Sequence, residues 1–195
     1  NQSKIKSVKN KYNLSDNKKI ILINGRLVQE KGHIELIKAC QNIDCNIVII
    51  GHGDTNNRHA KNIKLEIEKF SKLNNFNKKI HSIGYTSDVS SFLQIADIFV
   101  LPTYREGLNR SIIEAMFASL PIITTEIDNN KELVINDFNG YLIPVRDIEK
   151  LRKSIIKLLN DKKLRLKMGS NSRKLAYSNN DIENVIKKHF KYMEL

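Results

Sequence analysis

Short apolar runs rich in β-branched residues recur along the chain at Ile20–Asn24, Ile47–Ile50, Ile80–Ile83, Ile98–Leu101 and Ile122–Thr125, with Tyr141–Ile143 as a weaker sixth. Between them the apolar positions change to helical spacing: Ile34 and Ile37 with Lys38–Cys40, then Ile63, Ile67 and Phe70, then Val89, Phe92, Leu93 and Ala96, then Ile112–Phe117. Strands that are apolar on both faces and alternate with helices pair in parallel beneath two helical layers. The pattern predicts an α/β fold, a doubly wound parallel sheet (Rossmann-like) of about six strands with C-terminal helices. From Asp147 the spacing is all helical, at Ile148–Leu159, Lys163–Tyr177 and Asp181–Tyr192; the last carries an apolar stripe of Ile182, Val185, Ile186, Phe190 and Met193. Residues 1–17, lysine-rich with a short helix expected around Ile5–Tyr12, read as a lead-in, and residues 18–195 as one domain.

A chain of 195 residues with 41% hydrophobic content can bury one core. Its formal charge of +12 admits nucleic acid, an anionic membrane surface or phosphorylated small molecules as partners. Lysine and asparagine are abundant everywhere, so charge alone does not choose. With 7% aromatic residues, no tryptophan and no RNA-binding motif, nucleic acid ranks last. No stretch approaches the roughly 20 apolar residues of a membrane span, and no secretory signal is recognisable, so a cytoplasmic setting is expected. Lys162, Lys163, Arg165 and Lys167, with Lys187, Lys188 and Lys191, suit either a solvated helical face or peripheral contact with the inner membrane face. Cys40 and Cys45 lack zinc spacing and read as buried thiols; the five histidines are scattered and no Asp-x-Asp pair occurs, so no metal is expected.

Parallel sheets bind ligands at the carboxyl ends of their strands, and three junctions there carry candidate chemistry. In "NGRLVQEKGH", Gly25, Arg26 and Lys31 precede a helix; two cations in one loop make a phosphate clamp or two solvated surface charges. Gly51 and Gly53 in "IIGHGD" lack the third glycine of a nucleotide fingerprint and read as turn glycines beside which a ligand could pass. In "YREGLNRSIIEA", Glu106 lies in the loop and Glu114 one turn inside a helix capped by Asn109 or Ser111, while Gly107 lets the backbone approach a ligand. The N–H groups around Leu108–Ser111 point toward the sheet's carboxyl edge, and either carboxylate can take the paired hydroxyls of a sugar. Taken singly, each glutamate reads better as structural, Glu114 pairing with Arg110 within the helix and Glu106 merely lying near the helix amino terminus.

The joint pattern decides between these readings. From Lys18 to Tyr177 the chain resembles the carboxyl-terminal half of retaining glycosyltransferases of the GT-B fold, group 1 or family 4 type. The likeness rests on "GRLVQEKG", "IVIIGHGD", "IHSIGYTSDVSSFLQIADIFVLPTYREGLNRSIIEAMFASLPIITTEI" and "ELVINDFNGYLIP" in that order, and most strongly on Glu106 and Glu114 with seven residues between them. The resemblance implies that Arg26 and Lys31 grip the diphosphate of a nucleoside-diphosphate sugar and stabilise the leaving group without a metal. It further implies that Glu114 holds the ribose, Glu106 contacts the transferred sugar, the backbone of Gly107, Leu108, Asn109 and Arg110 orients diphosphate and sugar, and the loop at Gly84 and Tyr85 lines the base. A uridine diphosphate sugar is favoured on family frequency. Retention is expected through same-face attack, with Glu106 positioning the donor rather than acting as nucleophile.

Three positions depart from the family pattern: Asn109 for a frequent proline, and Ser119 and Phe138 for frequent glycines. Such enzymes hold the acceptor, here a lipid-linked or saccharide hydroxyl of bacterial surface polysaccharide or glycolipid synthesis, with an amino-terminal domain that is not in these 195 residues. The fragment alone is expected to bind donor weakly and transfer nothing. The alternative is a non-catalytic nucleotide-sugar-binding, regulatory domain.

Overall fold

The computed structural model describes residues 2–14, 17–53, 58–73, 76 and 79–178. Strands β1 (Lys19–Asn24), β2 (Cys45–Ile50), β3 (Ile80–Gly84), β4 (Ile98–Leu101), β5 (Ile122–Thr125) and β6 (Gly140–Ile143) form one all-parallel sheet in the order β3-β2-β1-β4-β5-β6. Their apolar runs explain it: Ile20–Ile23, Ile47–Ile50 and Ile98–Leu101 are buried without interruption, which only a sheet covered on both faces achieves. Each such side chain contributes roughly 1.5–3 kcal/mol when removed from water.

Right-handed crossovers then sort the helices. Leftward steps from β1 to β3 put α2 (His33–Ala39) and α3 (Arg58–Ser71) on one face. Rightward steps from β3 to β6 put α4 (Val89–Ile95), α5 (Arg110–Phe117) and the short α6 (Asp128–Lys131) on the other. Helix α7 (Ile148–Asn160) packs against α2, and α8 (Lys162–Ser178) against α5 and α7. The helix expected at Asp181–Tyr192 lies outside the described residues.

Several sequence expectations change. The helix expected around Ile5–Tyr12 is present as α1 (Gln2–Lys11), but the segment read as a lead-in is docked on α4, with the Tyr12 and Phe92 rings 5.4 Å apart and Leu14 buried. Arg165, expected on a basic face turned to solvent or to a membrane surface, is buried instead. Its guanidinium donates to the carbonyls of Leu158 (2.6 Å) and Leu159 (2.8 Å), closing the carboxyl end of α7. Ser119, in place of a frequent glycine, has a φ of 61°, a left-handed conformation that strains a residue with a side chain. Phe138, at the other such place, is 41% exposed in the turn before β6. Among the described residues no helix is long and apolar enough to cross a membrane.

The chain leaves β1 and β4 in opposite directions although they are neighbours. In open α/β sheets that divergence opens a crevice at the strands' carboxyl ends, the ordinary place for a ligand.

Candidate functional site

The loop after β1 is held by its backbone. Gly25 N–H donates to the Ile50 carbonyl (3.0 Å) and Leu27 N–H to that of His52 (3.2 Å), stitching the exits of β1 and β2 together. The two cross so closely at Gly51, with φ 143°, that a Cβ there would lie 1.9 Å from the Gly25 oxygen. One turn of 3₁₀ helix, Gln29–Lys31, ends at Gly32 with φ 72°, where a Cβ would lie 2.3 Å from the Pro102 oxygen. Only glycine tolerates either position, and the loop is wedged between the exits of β2 and β4. Arg26 projects outward, exposed, and the stem of Lys31 passes over Gly25. Behind the loop His33 is buried at the start of α2, with Nε2 2.9 Å from the Arg26 carbonyl and no partner for Nδ1. Burial, above all, lowers its pKa to about 4, and the charge of Lys31 acts in the same sense.

Side chains hold the loop after β4. The buried Thr103 hydroxyl sits between the carbonyls of Glu30 (2.8 Å) and Arg105 (3.1 Å), while Tyr104 N–H donates to Glu30 (2.7 Å). Asn109 accepts from Ile112 N–H (3.4 Å) as the cap of α5, and its amide donates to Asn130 Oδ1 (3.1 Å). The Asn130 amide reaches Thr124 Oγ1 (2.8 Å) and the Thr125 carbonyl (3.1 Å), and those threonines donate to Leu101 (2.8 Å) and Thr103 (2.5 Å). Nearer solvent, Asn129 donates to the carbonyls of Glu106 (2.6 Å) and Gly107 (3.0 Å). Tyr104 OH donates to Glu35 (2.5 Å) beneath the guanidinium of Arg146, 4.6 Å from the ring centre; burial and then Glu35 push the phenol up to about 12.

These two loops meet in an ion pair. Lys31 Nζ contacts Glu106 Oε1, with side-chain exposures of only 16% and 9%. A half-dry pair of this kind spends most of its attraction on desolvation, so its members can exchange each other for ligand groups of matching charge. Glu114 lies one turn into α5, half-buried; burial raises its carboxyl above the usual range and the charge of Arg110 pulls it back. The far lip is formed by Gly84, with φ 78°, and by Tyr85, 75% exposed, whose ring meets that of His52 edge to face at 5.3 Å.

Of the residues singled out in the sequence, Lys31 and Glu106 touch and Gly25 and Gly51 share one backbone crossing. Gly107 and Leu108 lie exposed on the loop, with Arg110 opening α5. Asn109 is turned inward, 2% exposed, and serves the helix cap. The expected free amides are partly occupied: Arg110 N–H donates to the Leu108 carbonyl (3.1 Å). Sequence reasoning missed His33, Tyr104, Asn129 and Asn130. The one available signal was an Asn-Asn pair just after a strand, a common choice at turns.

Comparison with known proteins adds an independent finding. The family described as "Glycosyl transferases group 1" matches residues 4–175. The chain is 28% identical over 189 residues to the UDP-Gal:alpha-D-GlcNAc-diphosphoundecaprenol alpha-1,3-galactosyltransferase of Escherichia coli, covering 93% of this chain and 47% of that protein. It is 32% identical over 155 residues to the capsular polysaccharide biosynthesis glycosyltransferase CapM of Staphylococcus aureus, covering 77% and 39%. The chain thus spans less than half the length of either. Among solved structures, Anabaena HepE in complex with UDP-glucose superposes with a TM-score of 0.85 at 17% identity, over 100% of this chain and 53% of that one.

Proposed function

The chain belongs to the glycosyl transferases group 1 family, and from that premise we propose that it is the donor-binding half of a retaining glycosyltransferase. The reaction is transfer of a sugar from a nucleoside-diphosphate sugar to an acceptor hydroxyl in bacterial surface polysaccharide or glycolipid synthesis. The observation that carries the reading is the Lys31–Glu106 contact across the point where β1 and β4 diverge, with Arg26 in the same loop and Glu114 one turn inside α5.

Each group has a task that its environment suits. Arg26 and Lys31 receive the diphosphate, and their charge is worth most as negative charge develops on the leaving group, so they accelerate bond breaking without a metal. Once Lys31 turns to phosphate, the Glu106 carboxylate is released to accept hydroxyl hydrogens from the transferred sugar. Glu114, with two acceptor oxygens, takes the paired hydroxyls of the ribose. Tyr85 offers a ring face at the lip for the base.

Uridine is the favoured base: the E. coli relative is named for a UDP-galactose donor, and HepE was crystallised with UDP-glucose. That relative's name also gives an acceptor on diphosphoundecaprenol, which supports a lipid-linked acceptor at the inner membrane face. Relatives about twice as long support an amino-terminal domain of the same enzyme as the holder of the acceptor.

Calorimetry of the 195-residue chain against uridine, guanosine and adenosine diphosphates and their sugars tests the reading. Uridine diphosphate is expected to bind, and Glu114→Gln to weaken it about tenfold, the worth of one charge-assisted hydrogen bond. Binding of none of these nucleotides, or equal binding by Glu114→Gln and the parent, would sink it.

A further inference from the structure

Behind the β1 loop, at the start of α2, lies a buried polar side chain. His33 is 1% exposed, and its Nε2 lies 2.9 Å from the carbonyl oxygen of Arg26. A carbonyl can only accept, so that nitrogen carries the hydrogen and Nδ1, buried and without a partner, carries a lone pair. An unpaired buried acceptor is a standing penalty that a leucine of similar size would avoid. What the imidazole supplies in return is the Nε2–H bond.

That bond completes the restraint of one peptide. On either side of Arg26 the chain is fixed by Gly25 N–H to Ile50 (3.0 Å) and Leu27 N–H to His52 (3.2 Å). The Arg26 carbonyl itself accepts from Val28 N–H (2.8 Å), a γ-type turn that alone is easily deformed. With His33 as second donor, backbone rotation at Arg26 is blocked and only its exposed guanidinium stays free to move. Lys31, two residues before His33, ends the 3₁₀ turn that follows.

We propose that His33 is a positioning residue for the donor diphosphate, its Nε2–H bond to the Arg26 carbonyl fixing the peptide from which the Arg26 guanidinium is presented. The proposal rests on the donor-site reading above. With its peptide already fixed, Arg26 has only its side chain left to order when the diphosphate arrives, so the effect falls on nucleotide affinity more than on stability. Histidine also withstands mild acid here, because burial keeps the ring neutral well below its usual range.

The test is made on the 195-residue chain with uridine diphosphate in calorimetry and with thermal unfolding alongside. His33→Leu is expected to weaken binding about tenfold while leaving the midpoint within a few degrees. His33→Gln, whose amide nitrogen sits at the reach of Nε2, restores affinity to within about threefold, and His33→Asn, one carbon shorter, does not. Comparing Gln with Asn keeps the test decisive even where Leu fails to fold. In a double-mutant cycle His33→Leu adds nothing to Arg26→Ala, since both remove the same presented cation.

If His33→Asn and His33→Gln bind alike, or His33→Leu adds its full loss on top of Arg26→Ala, the positioning role is overturned while the donor site stands. If the unsubstituted chain takes up no uridine diphosphate, the donor-site reading falls first and this proposal with it.

Discussion

The loops after β1 and β4 face each other across the same crevice and are built on opposite plans. After β1, order comes from main chain on main chain, with glycines where two strand exits cross and where the loop meets Pro102. After β4, it comes from amides and hydroxyls: Thr103, Asn109, Asn129, Asn130, Thr124 and Thr125. The first plan tolerates no added atom, because backbone cannot move aside. The second tolerates small changes of shape but not the loss of a partner, because each buried amide relies on the next.

The largest test of this contrast is Gly51→Ala. Its Cβ has nowhere to go, and we expect a loss of about 3–5 kcal/mol in urea unfolding. A small effect would show that the crossing of β1 and β2 is softer than its 1.9 Å approach implies.

Acid should strike the same loop next. His33 takes up a proton near 6.5 when unfolded and about 4 when folded. Between those pH values only the unfolded chain is protonated, so stability is complete above 6.5 and falls as pH drops toward 4, by about 3 kcal/mol. Urea midpoints at pH 7 and pH 4 should therefore differ less in His33→Leu than in the parent, and equal pH dependence would contradict the buried neutral ring.

Beneath the β4 loop, Asn130→Ala on α6 removes the hub and leaves the Asn109 amide without its acceptor, an expected cost of about 2 kcal/mol by the same unfolding measurement. Asn129→Ala is the smallest change. It lies at the surface, so stability should move by less than about 0.5 kcal/mol. Affinity for a uridine diphosphate sugar should nonetheless fall relative to uridine diphosphate itself, because the Glu106–Gly107 backbone loses its tether. Calorimetry with both ligands reads the ratio; an unchanged ratio would mean the loop is held without Asn129.

The same division governs how much the sequence disclosed. Strands buried on both faces announce themselves, and β1, β4 and β5 lie where the apolar runs put them. Strand β2 starts two residues before the expected Ile47 because Asn46 interrupts the run; it is buried all the same, with Oδ1 3.3 Å from Nε2 of His81 on the neighbouring strand. Main-chain order leaves a local signature of glycines, so Gly51 reads as a turn position from its letters alone, whereas Arg26 and Lys31 read there only as two cations in one loop.

Side-chain order across 21 residues, from Asn109 to Asn130, leaves none, since an asparagine that caps and one that bridges look alike until the topology brings them together. The four-residue α6 that carries Asn129 and Asn130 is likewise too short to show a period. In the sequence His33 is one of five scattered histidines, because its partner is a carbonyl and carbonyls have no letter there.

The contact between Lys31 and Glu106 makes the crevice its own competitor. A bare ammonium at that point would attract any small anion in the surrounding solution; a cation already neutralised from within yields only to a guest that also rewards the carboxylate it displaces. Inorganic phosphate offers the first and not the second. On the proposed reading a sugar nucleotide brings both a pyrophosphate and a row of hydroxyls, and the pairing then trades some grip for discrimination.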